Sequence, residues 1–237
     1  MGVTIGPGIT IDAGVTIKDI GSNLGNYKLV SGAKLPTLGA RGQTTYPETG
    51  WTAIASASDD ASVDVTLPFT WRYNSIGYTT VYPNSNFYIT FGVGSTVYNS
   101  LANNNPAYNK IFFAGADNSW QRVSRITSGT DYLTIRWEGT AATSGAVGNP
   151  NMVYELTFFN PANTGNVSVF ELLVGVQVRA NVIGTISGIC SNTALLTGGS
   201  FNPTNRGVAN YQSYVGVGDA NGATWTVHTG YHIQGAY

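Results

Sequence analysis

The sequence predicts an all-β protein: an antiparallel β-sandwich of jelly-roll-like type, with a short N-terminal β arm of hexapeptide-like repeats. Three observations predict it. From Trp51 onward, apolar residues alternate with polar ones at period two in run after run. Clusters of Asn, Asp, Gly and Pro, the residues that favour turns, separate those runs. The 237 residues include 30 Gly, 14 Tyr, 9 Phe and 5 Trp, and only 10% are charged, against about a quarter in an average domain.

The arm comes first. Residues 1–20 hold a period-six repeat, Val3-Thr4-Ile5-Gly6-Pro7-Gly8, then Ile9-Thr10-Ile11-Asp12-Ala13-Gly14, then Val15-Thr16-Ile17. Each unit is a three-residue β segment followed by a glycine-containing turn. The pattern resembles the hexapeptide repeat of left-handed β-helix acyltransferases, but it ends by Ile20. Three hexads make about one coil, and stacked repeats need neighbours to bury a continuous core. An acyltransferase is therefore rejected. Burying Val3, Ile5, Ile9, Ile11, Val15 and Ile17 is worth roughly 10 kcal/mol per chain before ordering costs. These six are the candidate assembly residues, and three-fold closure suits a three-sided repeat, so the expectation is a homotrimer or docking onto a neighbouring protein. The plainer alternative is a strand docked on its own domain, or a tail.

Residues 21–50 are rich in Gly, Pro and Thr without sustained periodicity and read as a linker or lead-in. One short strand around Tyr27, Leu29 and Val30 is possible within them. The sandwich itself spans residues 51–237, with about ten strands expected. Its clearest runs place Val63, Val65 and Leu67 on one face, then Phe87, Ile89 and Phe91, then Leu133, Ile135 and Trp137, then Tyr154, Leu156 and Phe158. A last run carries Trp225, Val227, Thr229, Tyr231 and Ile233. Proline lacks the ladder donor, so Leu67-Pro68-Phe69 is expected to end a strand. Asn84-Ser85-Asn86 suits a side-chain-bonded turn, and Asp219-Ala220-Asn221-Gly222 a turn with Gly222 at positive φ.

Composition removes whole classes of function. Lys+Arg is 11 and Asp+Glu is 12, so no basic surplus steers the chain to nucleic acid or anionic lipid. No apolar run reaches about 18 residues, the length that reads as a membrane span. The N-terminus has neither a basic nor a continuous apolar region of the signal-peptide kind, so folding in a cytoplasm is expected. Cys190 is the single cysteine. It excludes an intrachain disulfide, and its apolar context favours a buried, inert thiol.

One stretch goes beyond pattern. Residues 59–92 read DDASVDVTLPFTWRYNSIGYTTVYPNSNFYITFG. The paired Asp, the Leu-Pro-Phe and the Asn-Ser-Asn before a strand resemble the signature of nidogen-like β modules and of related virion proteins of tailed cyanophages. Ile135-Arg136-Trp137-Glu138-Gly139 and Val153 through Phe158 look like later strands of the same phage module. Phe87 departs from the pattern, standing where the nidogen modules often have Gly. The resemblance covers residues 51–160. It implies a structural or adhesive role and supplies no catalytic residues.

The residues that could carry chemistry have ordinary roles to set beside it. On one strand His228 and His232 would share a face about 13 Å apart at roughly 3.3 Å per residue, too far for one ion; no metal site is assigned. Asp59-Asp60 and Asp117-Asn118-Ser119 offer oxygen ligands but no calcium-loop spacing, and turn capping suits them. Glu138 and Glu155 sit on expected strands that could present them on one surface, as a glycosidase needs. Arg122, Arg125 and Arg136 are available to balance them. No Gly-x-Ser-x-Gly elbow appears, and no helix follows Gly92-Val93-Gly94 to make a phosphate loop. Trp51, Trp71, Trp120, Trp137 and Trp225 could stack on sugar rings, and Tyr78, Tyr82 and Tyr98 lie in loop-rich regions; Trp137 and Trp225 lie on apolar faces, and for each Trp the core is the favoured place.

Three functions follow as expectations. The first is a non-enzymatic virion structural protein, a tail fibre or related surface appendage, assembled in the host cytoplasm with other virion proteins and facing a host surface glycan. The second is a capsid decoration or head-surface protein. The third is a secreted or cell-surface glycan-binding sandwich. No cofactor, nucleic acid or membrane enters any of them.

Overall fold

The computed structural model describes residues 3–4, 10–11, 23–31, 50–96, 109–112, 119–140, 152–177, 187–190, 195–201 and 212–234. In chain order the first strands are β1 (Val3–Thr4), β2 (Thr10–Ile11), β3 (Asn23–Leu24), β4 (Tyr27–Ser31), β5 (Thr52–Ser58) and β6 (Val65–Tyr73). Then come β7 (Ile76–Asn84), β8 (Tyr88–Phe91), β9 (Asn109–Phe112), β10 (Ser119–Ser128), β11 (Tyr132–Thr140) and β12 (Met152–Phe159). The last are β13 (Val169–Gln177), β14 (Ser187–Cys190), β15 (Leu195–Phe201), β16 (Gln212–Gly218), β17 (Trp225–Thr229) and β18 (Tyr231–Gln234). Among the described residues the one helix is a single 3-10 turn, Pro161–Asn163, capped by Asn160, whose side chain accepts from the Ala162 amide.

Two antiparallel sheets carry the body. One has seven strands in the order β17-β16-β13-β12-β11-β10-β5, the other six in the order β15-β14-β9-β8-β7-β6. An all-β sandwich is thus the fold. Successive strands β6 to β9 lie side by side in one sheet and β10 to β13 in the other. Each of these sets of four forms a meander. Short hairpin connections, such as Ser128 to Tyr132, favour that outcome.

The core lies between the sheets. The inward residues of β6, from Val65 to Tyr73, alternate strictly with exposed ones. They face Leu133, Ile135, Trp137, Leu156 and Phe158 of the larger sheet. Trp71 is the hub: Phe158 meets it edge-on at 4.9 Å, and Phe91 and Trp225 lie at 5.5 and 5.6 Å. Such pairs add to the burial each ring already contributes. The indole N–H groups of Trp71 and Trp120 are buried without a hydrogen-bond partner, so shape rather than polarity holds these rings.

Three sequence expectations need correction. Pro68 does not end its strand; β6 runs through it to Tyr73. Leu67, Pro68, Phe69 and Thr70 fall in a register break opposite β7, and β6 is a sheet edge, the two settings that tolerate a strand proline. Second, residues 21–50 hold more than a lead-in: the short strand expected around Tyr27, Leu29 and Val30 forms as β4, and β3 precedes it. β3 and β4 join β18 in a three-stranded sheet. Their Leu24, Tyr27 and Leu29 pack with Phe159, Val169, Val215 and Ile233 on the outer face of the larger sheet. Third, the last run is two strands. Gly230, at φ +75°, turns the chain from β17 in the large sheet to β18 in the small one.

Candidate functional site

The signature at residues 59–92 becomes a single knot of hydrogen bonds. Asn84 is fully buried. Its side-chain oxygen accepts from the Asn86 amide at 2.6 Å, and its amide group donates to the Ser95 carbonyl. Its own carbonyl accepts from the Phe87 amide and the Trp137 indole, both at 3.1 Å. Ser85 exchanges bonds with Ala61, giving its amide to the Ala61 carbonyl and accepting the Ala61 amide on Oγ. Asn86 reaches Asp60 at 3.4 Å. The paired Asp and the Asn-Ser-Asn, 24 residues apart at Ala61 and Ser85, are thus two halves of one turn. Asp59 and Asp60 each give one carboxylate oxygen to an amide of this chain, at 3.1 and 3.4 Å.

Phe87 adopts φ +57°. That is the left-handed conformation a glycine takes without penalty and other residues at roughly 1–2 kcal/mol. Phe87 thus holds a glycine-like backbone at the position where the sequence pattern favours Gly. The ring is fully buried, 5.3 Å from Tyr154, and this burial offsets the strain.

Glu138 and Glu155 do share a face. Arg136 is the cross-strand partner of Glu155, and Arg122 of Glu138. All four sit on the side of the larger sheet away from the core. Each carboxylate meets an arginine. Arg122 grips Glu138 with two donors, at 2.9 and 3.3 Å. Arg136 Nε donates to Glu155 at 2.8 Å, and its Nη2 lies 2.7 Å from the same oxygen, near enough for attraction but off-line for a hydrogen bond. Trp51 stacks over the Arg136 guanidinium at 4.0 Å. Neither carboxylate stands free to protonate a glycosidic oxygen.

The two histidines part company at Gly230. His228 lies on β17 opposite Val215, and His232 on β18 opposite Val30. The shared-face spacing read from the sequence does not arise. Among the described residues no group of three or more His, Cys, Asp and Glu gathers as a metal site. Asp219 is a turn cap, as its spacing suggested. Its carboxylate accepts the amides of Asn221, Ala223 and Thr224 at 2.9–3.1 Å. These bonds, the Ala223 amide foremost, hold its carboxyl below the ordinary range. Gly222 takes the expected positive φ and lies so close to the Arg72 carbonyl that a Cβ would collide with it.

Four of the five tryptophans, Trp71, Trp120, Trp137 and Trp225, are core. Tyr78 is half-buried and its hydroxyl accepts from Asn109 at 2.8 Å. Tyr98, Asp117 and Asn118 lie outside the described residues, as does the Cys190 side chain.

For the arm, Val3 pairs with Ile11 and Thr4 with Thr10, antiparallel. Ile5, Ile9, Val15 and Ile17 lie outside the described residues.

One feature escaped the sequence reading. Where the two sheets part, between the edge strands β5 and β6, an open groove of about 370 Å³ is lined by Thr52, Thr66, Leu67, Pro68, Arg125 and Thr127 among others. Arg125 and Thr127 lie across from the core residues Ile135 and Leu133, so both occupy inward positions that an apolar residue would normally hold. The signal in the sequence is the run Val123-Ser124-Arg125-Ile126-Thr127, in which the inward positions turn polar toward one end.

Comparison with protein-family models, with curated proteins and with solved structures finds no match for this chain.

Proposed function

We propose that the chain is a non-enzymatic structural protein of a tailed-phage virion. In this reading it is a component of a tail fibre or related surface appendage, and it serves assembly or host-surface attachment. The observation that carries the reading is the Asp-Asp…Asn-Ser-Asn signature together with its turn, which keeps a glycine-like backbone at Phe87. Support also comes from how the potentially catalytic groups are used: Glu138 and Glu155 are neutralised by arginines, and the signature oxygens cap amides. The arm supplies assembly. Val3, Ile5, Ile9, Ile11, Val15 and Ile17 offer apolar surface that a lightly charged protein has reason to cover with other copies of itself, and a homotrimer closes such contacts without leaving fibre-forming ends.

Two experiments test this. Antibody labelling of purified particles should mark a tail appendage; labelling of the head would favour the decoration alternative, and no labelling would remove the virion reading. Deleting residues 1–20 should leave a folded, mainly monomeric sandwich in sedimentation. The same oligomer with and without the arm would refute the assembly role.

A further inference from the structure

We propose that the groove between β5 and β6 binds a carboxylate-bearing sugar unit of an acidic polysaccharide. Four observations meet there. The first is Arg125, which is half-exposed and has no ion pair or hydrogen bond among the described residues. Arg122 and Arg136, the neighbouring arginines of the same sheet, are both engaged with glutamates. A guanidinium on an inward position, left without an anion, is suited to take one from outside, two parallel N–H···O bonds to a carboxylate being its preferred geometry.

The second is the set of hydroxyls. Thr52, Thr66 and Thr127 border the same groove, and Thr52 is the cross-strand partner of Arg125. Each hydroxyl both donates and accepts, as a polyol requires. The third is the apolar border made by Leu67 and Pro68, against which the C–H face of a sugar ring can lie. The fourth is size. At about 370 Å³ the groove sits at the lower end of the range of roughly 300–1,000 Å³ for small-molecule sites. That is more room than an inorganic anion needs and about what one or two sugar rings fill. The groove is also open at the margin of the sandwich, so a sugar within a chain can enter with its neighbours outside.

The inference deepens the attachment side of the proposed function by naming a ligand class. Its test uses the isolated chain, so its outcome is separate from that of the particle labelling. Oligogalacturonate, the neutral galactose oligomer of equal length, and acetate are titrated into the full chain by calorimetry, with amide chemical shifts locating the site. The acidic oligomer should bind and shift residues of β5, β6 and β10. The neutral oligomer should bind at least about tenfold more weakly, since hydrogen bonds to a charged group are among the strongest. Arg125→Gln should weaken the acidic oligomer by about tenfold or more for the same reason. Thr66→Tyr, a change at an exposed edge position, should fill the groove and abolish binding without depending on Arg125. Absence of binding by the acidic oligomer overturns the proposal. So does unchanged affinity in both variants, or acetate binding as tightly as the oligomer, which would make the groove a plain anion site.

Discussion

Glu155→Leu removes the anion beside Arg136 and leaves a buried cation. The side chains of Arg136 and Glu155 are 2% and 4% exposed. Breaking such a pair from one side costs about 3–5 kcal/mol, because the survivor keeps its desolvation penalty. Arg122 and Glu138 are the internal control. They are joined on the same sheet, there by two hydrogen bonds, and are 24% and 12% exposed. Water reaches that pair more, chiefly at Arg122, so Glu138→Leu should cost less, about 1 kcal/mol. In urea, with a slope of about 3 kcal/mol per molar, the midpoint should fall by about 1–1.7 M for Glu155→Leu and by about 0.3 M for Glu138→Leu. The double variant Arg136→Met with Glu155→Leu removes both charges and should recover most of the loss, less the stacking of Trp51 on the guanidinium. The assay is equilibrium unfolding followed by far-ultraviolet circular dichroism. If both single variants lose the same stability, or the double variant is as weak as Glu155→Leu, burial of this pair is not what sets its energetics.

Two other perturbations are informative. Phe87→Gly should lose about 2–3 kcal/mol, the buried ring outweighing the relieved backbone, and Phe87→Ala should lose about 1 kcal/mol more because it keeps the left-handed penalty; urea midpoints with Ala no worse than Gly would refute the conformation at 87. Asp219→Ala should cost about 1 kcal/mol at neutral pH by uncapping its turn. Because the native carboxyl is held low, Asp219 stabilises above the ordinary carboxylate range, and that contribution fades as pH falls through the native value; stability curves of the two proteins should therefore converge toward acid, and a constant gap would refute the cap.

The strands most legible in the sequence are those with one wet and one dry face, or with strong inward residues. β6 alternates cleanly, and β11 and β12 carry Leu133, Ile135, Trp137 and Leu156, Phe158 inward. β10 carries no strand signature in the sequence, because Arg122, Ser124, Arg125 and Thr127 place polar groups on both faces of it; burial of Ser124 and Val123 alike comes from the tertiary layers. Pro68 misled because edge position and register break are decided by neighbours far along the chain. The split at Gly230 was hidden by an alternation that continues in phase from Trp225 to Ile233, since period two says nothing of which sheet a residue joins. Of the candidate chemistry, the arginine–glutamate balance was visible in residue types, and the pairing itself needed the register. The groove needed both sheets at once.

The small sheet has a kinetic consequence. Leu29 is registered with Ile233, so β4 cannot pair with β18 until about 200 residues between them have been ordered or looped, the kind of contact that loop-closure entropy delays. The hairpins β6–β7 and β11–β12 can form from near neighbours. The small sheet should therefore close late in folding, and exchange labelling during refolding should protect Leu29 and Ile233 after Ile135 and Leu156. Residues 1–20 precede β3 in the chain, so an arm seized by a partner would pull on the body through this late-closing sheet.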